Sequence, residues 1–376
     1  MPEGISRVLV VGGGFSGMSA AIEFRKRGAS VDLVEIDPGW RSYGAGISLG
    51  GATLRAFRTL GVLDAFLATG YAADDVNVAL ADGTPIGTLP TPRIAGDDVP
   101  GGGAIMRPAL AEILARATRA SGADVRLGCT VTSWQEDGEG VDMTFSDAST
   151  RRYDLVIGAD GLYSSTRKQA FPNASAPAYS GQGVWRAVFE RPAHISTASM
   201  WVGERLKAGV NPVSHEAMYL FLTENRPSND YVEPAQLVEQ LRDLLGTFGA
   251  PEIKALRDQL GEHSQIVYRP LESLLLPRPW YTGRVVLIGD AVHATTPHMA
   301  SGACIGIEDA IVLAEECMGE GALAQRLARF EARRWERCRM VVENSARLGE
   351  IEIAGGDHME HARIMRETLA ALAQPI

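Results

Sequence analysis

Cysteine is scarce in this sequence and is not arranged for metal binding or cross-linking. The four cysteines, Cys129, Cys304, Cys317 and Cys338, lie far apart and form no Cys-x-x-Cys pair, so no zinc site or disulfide framework is readable. Long apolar runs are also absent, since none reaches the roughly 18 to 20 residues of a membrane span, and the N-terminus lacks a signal-peptide pattern. We therefore expect a cytoplasmic protein that does not associate with membranes.

Positive charge is in short supply as well. Lys and Arg number 36 against 46 Asp and Glu, a formal net charge of −10, which argues against nucleic acid or an anionic membrane as the main partner. The arginine-rich stretch 333–337 is interleaved with glutamates and predicts a solvated, ion-paired helix. Low-complexity segments are lacking too, so the 376 residues should form two or three globular units.

Glycine, by contrast, is abundant, and the first cluster of it follows an apolar strand. The run Arg7–Val11 reads as a buried strand, and Gly12, Gly14 and Gly17 after it fit the pattern GxGxxG. A helix over 18–27 and a second strand over 29–35, which ends in Glu35, complete a βαβ unit. The glycines permit a tight turn, approach of a pyrophosphate and close helix–strand contact, and Glu35 could bind an adenosine ribose. NAD and FAD share this pattern, so it predicts a dinucleotide without choosing between them.

Two later strands end in similar glycine turns. The strand from Asp154 leads into Asp160-Gly161, and the strand from Arg284 leads into Gly289-Asp290, which Pro297 and Gly302 follow. With these three ordered motifs the chain closely resembles the class A flavoprotein monooxygenases, the para-hydroxybenzoate hydroxylase-like family. The resemblance extends over nearly the whole length.

The resemblance implies FAD as the cofactor and assigns a role to each motif. The GxGxxG segment, with Phe15 and Ser16, would bind the ADP part, and Asp160 would serve both FAD and the nicotinamide nucleotide. Asp290 would bind the ribityl chain beside Gly289. The remaining cofactor positions implied by the family are Arg41 and Gly46 in the segment along the flavin edge, Arg107 at a helix start, and Pro297 and Gly302 in a flavin-facing loop.

This loop departs from the family in its side chains. Many members carry Gly-Gln-Gly and then Asn, whereas this chain has Ala300-Ser301-Gly302 and then Cys304. Only Gly302 is expected to need special backbone geometry there. Cys304 is expected to be a small packed residue, because nothing in the sequence supplies a base for a reactive thiol.

The expected fold is α/β, with a discontinuous Rossmann-like FAD-binding domain of the GR2 type, a second domain based on a β-sheet, and C-terminal helices. We place the FAD-binding domain in residues 1–75, 101–175 and 269–350. Strand-like segments such as 183–190 and 217–223 place the substrate-binding sheet domain in residues 76–100 and 176–268. Residues 351–376 form the C-terminal helical segment.

The resemblance also implies the reaction. NADH or NADPH would reduce the flavin, oxygen would add at C4a, and the hydroperoxide would hydroxylate a small hydroxylated or N-heterocyclic aromatic substrate. His215, Tyr219 and His298 are the candidates for the base that activates the substrate, and Arg186 is a further candidate of the sheet domain. Trp185 and Arg186 should face opposite sides of their strand, as should Met218 and Tyr219.

Alternatives remain open at this point. They are a flavoenzyme of the same fold with different chemistry (epoxidation, ring-opening oxygenation or reduction), a flavin-free NAD-dependent dehydrogenase, and a nucleotide-binding regulatory protein without turnover. We expect no metal, because the histidine pairs 293/298 and 358/361 have no obvious third ligand. The choice between NADH and NADPH, and between monomer and homodimer, is not readable from the sequence.

Overall fold

The structure, a computed structural model, describes residues 4–376. Strands over this range are β1 (Arg7–Val11), β2 (Ser30–Glu35), β3 (Gly46–Gly50), β4 (Tyr71–Ala73), β5 (Val76–Leu80), β6 (Pro85–Leu89), β7 (Gly102–Met106), β8 (Asp124–Leu127), β9 (Val131–Glu136), β10 (Val141–Phe145), β11 (Thr150–Tyr153), β12 (Leu155–Gly158), β13 (Ala178–Glu190), β14 (Ala198–Val202), β15 (Leu206–Pro212), β16 (Ala217–Asn225), β17 (Ile266–Ser273), β18 (Tyr281–Thr282) and β19 (Val285–Leu287). Helices are α1 (Phe15–Lys26), α2 (Gly51–Leu60), α3 (Leu63–Thr69), α4 (Arg107–Ala120), α5 (Ser165–Ala170), α6 (Leu237–Leu245), α7 (Pro251–Gln259), α8 (Gly302–Cys317), α9 (Leu323–Ala354) and α10 (His358–Ala373).

A six-stranded sheet carries the three glycine turns. Its order is β18-β19-β12-β1-β2-β8, and all neighbouring pairs are parallel except β18 with β19. The turns after β1, β12 and β19 therefore meet at the same edge, because the carboxyl ends of parallel strands lie together. The strand order thus brings together the first and third turns, which lie more than 250 residues apart in the sequence.

Both faces of this sheet are covered. Val8 and Val10 belong to the main core with residues of α1, α4 and α8, whereas Leu9 and Val11 pack with the small antiparallel sheet β9-β10-β11. Burial on both faces explains why β1 reads as an unbroken apolar run instead of an alternating one.

A seven-stranded sheet of order β17-β13-β16-β15-β14-β5-β6 forms the second layer of the molecule. One face packs on α6 and α7, and Trp185 and Met218 are buried in that core. Tyr219 belongs to a different cluster with Ala104 and Val213, so the expected opposite orientation of Met218 and Tyr219 is confirmed. The sheet β3-β7-β4 is antiparallel.

The C-terminal part of the chain is helical. Helix α9 runs for 32 residues, and α10 follows it after a turn at Gly355, where the backbone is left-handed with φ of +60°. The predicted α/β class with a second sheet and C-terminal helices is thus confirmed. None of the helices in residues 4–376 combines the length and apolarity needed to cross a bilayer.

Candidate active site

Two glycines of the first turn are required by close packing. Gly12 has φ of +106°, and a Cβ atom there would lie 2.5 Å from the carbonyl oxygen of Ala159. A Cβ atom on Gly17 would overlap the carbonyl oxygen of Gly12. Any side chain at either position would therefore push α1 or the turn after β12 away from β1.

Gly14 is different, because no atom lies within 4 Å of the position of its missing Cβ. It is the N-cap of α1, its backbone is extended, no side chain caps the helix, and the first turn carries no acidic residue. The first amide groups of α1 and its positive dipole end therefore face an open cradle. This arrangement fits a phosphate group of a dinucleotide.

Glu35 braces the same turn. Its Oε2 accepts a hydrogen bond from the Gly13 amide at 2.7 Å, and its Oε1 accepts one from the Asp37 amide at 2.8 Å. Trp40, which the sequence did not single out, donates from Nε1 to the Gly13 carbonyl oxygen at 2.9 Å. Glu35 thus fixes the loop, and its contact with an adenosine ribose stays a prediction.

Asp160 organises the turn after β12. Its carboxylate accepts hydrogen bonds from the Ser164 hydroxyl and from the Thr166 amide, the latter at 2.9 Å, at the start of α5. Arg167 on α5 is buried and donates to the carbonyl oxygens of Leu162 at 2.7 Å and Ala291 at 2.9 Å. This segment therefore ties the second glycine turn to the third, and a direct contact of Asp160 with nucleotide stays a prediction.

The third turn is held from behind by Asp309 of α8. Gly289 has φ of +61°, its amide donates to Asp309 Oδ2 at 3.0 Å, and His293 Nε2 lies 2.5 Å from the same oxygen. Ser16 of α1 packs against Gly289 and Gly306, where any Cβ would overlap its hydroxyl. The turn is thereby locked between α1 and α8.

The charge on Asp309 is balanced inside the protein. Arg334 of α9 donates from Nε to Asp309 Oδ1 at 2.8 Å, and all three side chains are inaccessible to solvent. Burial opposes ionisation, but His293 and Arg334 lower the pKa of Asp309 to about 2, and Asp309 raises the pKa of His293 well above 6.5. The Cys338 thiol completes a group that could in principle hold a metal ion. Two cations already neutralise the carboxylate, so we interpret the group as a buried ion pair.

Asp290 follows Gly289 in the third turn. Its side chain is accessible, yet surrounding protein raises its pKa, while His293 and Arg107 act in the opposite direction. Arg107 lies over the Phe15 ring, with Cζ 5.1 Å from the ring centroid. The guanidinium groups of Arg107 and Arg186 make no hydrogen bond or ion pair with the described residues 4–376, and desolvation lowers the pKa of both. Unpaired enclosed cations are suited to the negatively polarised atoms of a cofactor.

Arg41 lies apart from this group. It is exposed and pairs with Asp37 at 3.1 Å, and its guanidinium stacks on the Tyr43 ring at 5.4 Å. Its contact with the cofactor stays a prediction.

The loop after the third turn corrects one expectation. Gly302 begins α8 with an ordinary backbone, whereas Ala300 is left-handed with φ of +48°. The prediction that only Gly302 needs special geometry was therefore wrong. Pro297 opens a 3₁₀ turn over Pro297–Met299, and Ala300 must reverse the chain before α8 can start. Cys304 is buried in the core, and burial raises the pKa of its thiol, as expected for a packed residue.

A cavity of about 230 Å³ adjoins this loop. Its lining includes Ser48 of β3, Asn211 of β15, and His298 to Ser301 of the loop. The Tyr219 hydroxyl lies 2.5 Å from Ser48 Oγ, which also accepts from Asn211 Nδ2 at 2.9 Å. Gly46 is required here, because a Cβ would overlap the Tyr219 ring. Burial raises the pKa of the Tyr219 hydroxyl, so it stays protonated at neutral pH.

His298 is the one base candidate on the cavity lining. Its Nδ1 is 2.9 Å from Thr296 Oγ1, and its Nε2 is 3.3 Å from the carboxylate of Glu352 on α9. Glu352 also pairs with Lys207 at 2.5 Å and with His361 at 3.3 Å, a cluster that sequence reasoning missed. Burial lowers the pKa of His298, so its imidazole is neutral at neutral pH.

His215 lies elsewhere. It is exposed on the turn between β15 and β16, and its ring contacts Tyr71 with 5.7 Å between centroids. It lies outside the cavity lining but contacts Tyr71, which is part of that lining, and its role as a base stays a prediction.

Comparison with known proteins agrees with this geometry. The FAD binding domain family matches residues 6–345 of the chain. The chain belongs to this family of FAD-dependent monooxygenases. The chain is 31% identical over 347 residues to a protein named aurachin C monooxygenase/isomerase from Stigmatella aurantiaca, covering 92% of this chain and 89% of that protein. It is also 31% identical over 359 residues to 2-heptyl-3-hydroxy-4(1H)-quinolone synthase from Pseudomonas aeruginosa, covering 92% and 90%.

The fold of this flavoprotein monooxygenase also recurs in solved structures. Klebsiella pneumoniae HpxO, solved with FAD and uric acid, superposes with a TM-score of 0.85 over 98% of this chain and 97% of that one, at 24% identity. The open cradle at Gly14, the uncapped N-terminus of α1 and the unpaired Arg107 fit FAD, which is the cofactor of this monooxygenase. NADH or NADPH is the reductant typical of the family.

Proposed function

We propose that this monooxygenase hydroxylates a small aromatic ring, hydroxylated or N-heterocyclic, with molecular oxygen and NADH or NADPH. One observation carries the proposal: the loop 297–302, which the family places at the flavin, forms part of the wall of the 230 Å³ cavity. The names of the similar proteins support a heterocycle, since they include a quinolone and, for the solved structure, uric acid. The same cavity would also have to admit oxygen.

The cofactor would be held by the three glycine turns. The N-terminus of α1 beside Gly14 would bind the pyrophosphate, Asp290 would bind the ribityl chain, and Arg107 would lie close to it. When bound, FAD carries electrons from the nicotinamide nucleotide to oxygen and delivers one oxygen atom to the ring. The protein itself must position the ring, exclude water and manage one proton.

Tyr219 and Ser48 would position the ring. The Tyr219 hydroxyl is protonated and bonded to Ser48, which lines the cavity, so Ser48 can donate or accept a hydrogen bond with a ring hydroxyl or carbonyl while Tyr219 holds Ser48 in place. Because its pKa is raised, Tyr219 serves as a hydrogen-bond donor in this proposal and not as the base.

His298 would take the proton from the substrate. Its imidazole is neutral; the Nε2 proton is directed at the Glu352 carboxylate, so Nδ1, which lies 2.9 Å from the Thr296 hydroxyl, would be the nitrogen that accepts a proton. Lys207, His298 and His361 hold the pKa of Glu352 well below 4.5 against the effect of burial, so this carboxylate is charged and stabilises a protonated imidazole. Removal of the proton makes the ring electron-rich and more reactive toward an electrophilic oxygen.

The proposal is tested with FAD-loaded protein and a panel of phenols, hydroxybenzoates and hydroxylated N-heterocycles. We expect at least one compound to accelerate NADH or NADPH oxidation and to gain one oxygen atom in its product, with catalase present to remove free peroxide. A His298→Gln variant should bind FAD normally but lose product formation most strongly at the acidic side of the pH profile. A flat response across the panel, or a product without added oxygen, would refute aromatic hydroxylation and favour another flavin chemistry.

A further inference from the structure

The cavity continues from the flavin-facing loop to the C-terminal helix. Its wall on that side consists of small and apolar side chains: Ala52 of α2, Cys304 of α8, and Met365, Leu369 and Leu372 of α10. The hydroxyl and amide groups of Ser48 and Asn211 lie instead on the strands β3 and β15. The strand side thus carries a hydroxyl and an amide among apolar residues such as Leu49 and Val76, and the helical side is apolar except for the Thr53 hydroxyl of α2.

Helix α10 is a fixed wall and not a loose terminus. Arg55 and Arg337 donate five hydrogen bonds of 2.8 to 3.2 Å to the carbonyl oxygens of residues 371–374, the groups that a helix end leaves unpaired. Glu308, which is 1% exposed, pairs with both arginines at 3.7 and 2.7 Å. At the other end of α10, Asp357 caps the first turn. The apolar wall therefore has a defined position.

The charges around the cavity restrict its occupant further. No arginine or lysine contributes to its lining in the described chain, and the one carboxylate there, Asp75, would repel an anion. The unpaired Arg107 and Arg186 are not part of this lining. A ring that carries a carboxylate would find no counter-ion on the helical side, whereas an alkyl group brings no charge that needs one.

We propose, resting on the function proposed above, that the substrate is an uncharged aromatic heterocycle with an apolar alkyl substituent. The ring would lie against Ser48 and Asn211, and the chain would extend between α2, α8 and α10. Burial of each methylene group from water should then tighten binding about fourfold until the apolar part of the cavity is filled.

The test is a binding series on the FAD-loaded enzyme. The probes are 4-hydroxyquinoline, its 2-methyl, 2-propyl, 2-pentyl and 2-heptyl derivatives, and 4-hydroxyquinoline-2-carboxylate, with Kd measured by calorimetry. We expect Kd to fall about fourfold per methylene over the first members, and the carboxylate to bind more weakly than the methyl compound. Equal affinity along the series, or tighter binding of the carboxylate, would overturn the inference.

Two variants test where the alkyl substituent lies. Leu369→Trp fills the cavity beside α10. It should therefore abolish the increase in affinity with the length of the alkyl substituent, while the Kd of unsubstituted 4-hydroxyquinoline stays within about twofold of its value in the unaltered protein. Leu67→Trp is the matched control, because Leu67 is similarly exposed on α3 (37% against 41%) and lies outside the cavity lining. If affinity still increases with alkyl length in Leu369→Trp, the alkyl substituent lies elsewhere and the proposal is contradicted.

Binding and turnover separate the two proposals. If the alkyl series binds as expected but no member accelerates NADH or NADPH oxidation or gains oxygen, the apolar site stands and the hydroxylase function fails. If the parent ring is hydroxylated but chain length has no effect on Kd, the function stands and the alkyl inference fails.

Discussion

Gly14 and Gly17 lie three residues apart in one motif, yet they have different roles in the structure. A methyl group at Gly14 meets no atom within 4 Å, whereas a methyl group at Gly17 overlaps the carbonyl oxygen of Gly12. Gly14→Ala should therefore leave the protein stable and weaken FAD binding, because the methyl group enters the phosphate cradle. Gly17→Ala should destabilise the protein itself.

The magnitudes follow from these contacts. Gly14 is an N-cap with φ of −74°, which alanine adopts without strain, so the unfolding free energy of the apoprotein should change by less than about 1 kcal/mol. Loss of one or two hydrogen bonds to a charged phosphate costs about 1.5 to 3 kcal/mol, which raises the Kd for FAD roughly 10- to 150-fold. Overpacking at Gly17 costs about 1 to 3 kcal/mol of stability, since the neighbouring backbone must shift.

The assay measures both quantities on both variants. Urea denaturation of the apoprotein gives stability, and quenching of FAD fluorescence on titration gives Kd. The reasoning is refuted if Gly14→Ala loses more than about 2 kcal/mol of apoprotein stability, or if it binds FAD as tightly as the unaltered protein. Gly17→Ala with unchanged stability would equally show that the close helix–strand contact is not a constraint.

Three further predictions concern the surroundings of the cofactor. Asp309→Asn breaks a buried ion pair with His293 and Arg334 and should cost about 3 to 5 kcal/mol in urea denaturation. The pKa of Asp309 in the folded protein, about 2, lies below the ordinary 3.8, so its contribution to stability is complete above about pH 4 and is lost as pH falls toward 2. The unfolding free energy of the Asn variant should lack this pH-dependent loss. Ala300→Gly should raise the unfolding free energy by roughly 0.5 to 1 kcal/mol, because relief of left-handed strain exceeds the entropy that glycine adds to the unfolded chain; a loss of stability would contradict this. Tyr219→Phe should lower product formation about tenfold without a shift of the pH profile, since the hydroxyl stays protonated; a changed alkaline limb would identify Tyr219 as the base after all.

Several features of the site were predictable because they depend on local sequence. Strand β1 begins and ends at Arg7 and Val11, and α4 spans Arg107–Ala120, as apolar periodicity and the proline after Arg107 predict. Gly12 and Gly17 are required by contacts that the motif itself describes, and the turns after β12 and β19 reach the same edge because their strands are parallel. The boundaries of these elements and the positions of the glycine turns follow from residue spacing within short stretches of sequence.

Other features depend on contacts between residues that are distant in sequence, and no local sequence pattern predicts them. Glu352 meets Lys207, which is 145 residues away, and His298, and Trp40 binds the Gly13 carbonyl from a separate loop. Residues of α10 line the cavity although their sequence reads only as a helix. The strain at Ala300 was missed because glycine was assumed to occupy the left-handed position, and this chain places alanine there.

In the proposed reaction, this FAD-dependent monooxygenase inserts one atom of molecular oxygen into an aromatic ring bound in the cavity beside residues 297–302. The most direct measurement is turnover of an accelerating compound under ¹⁸O₂ with product mass spectrometry. We expect one ¹⁸O atom in each product molecule, with the other oxygen atom released in water. Oxidation of NADH or NADPH with product that contains no ¹⁸O would contradict it.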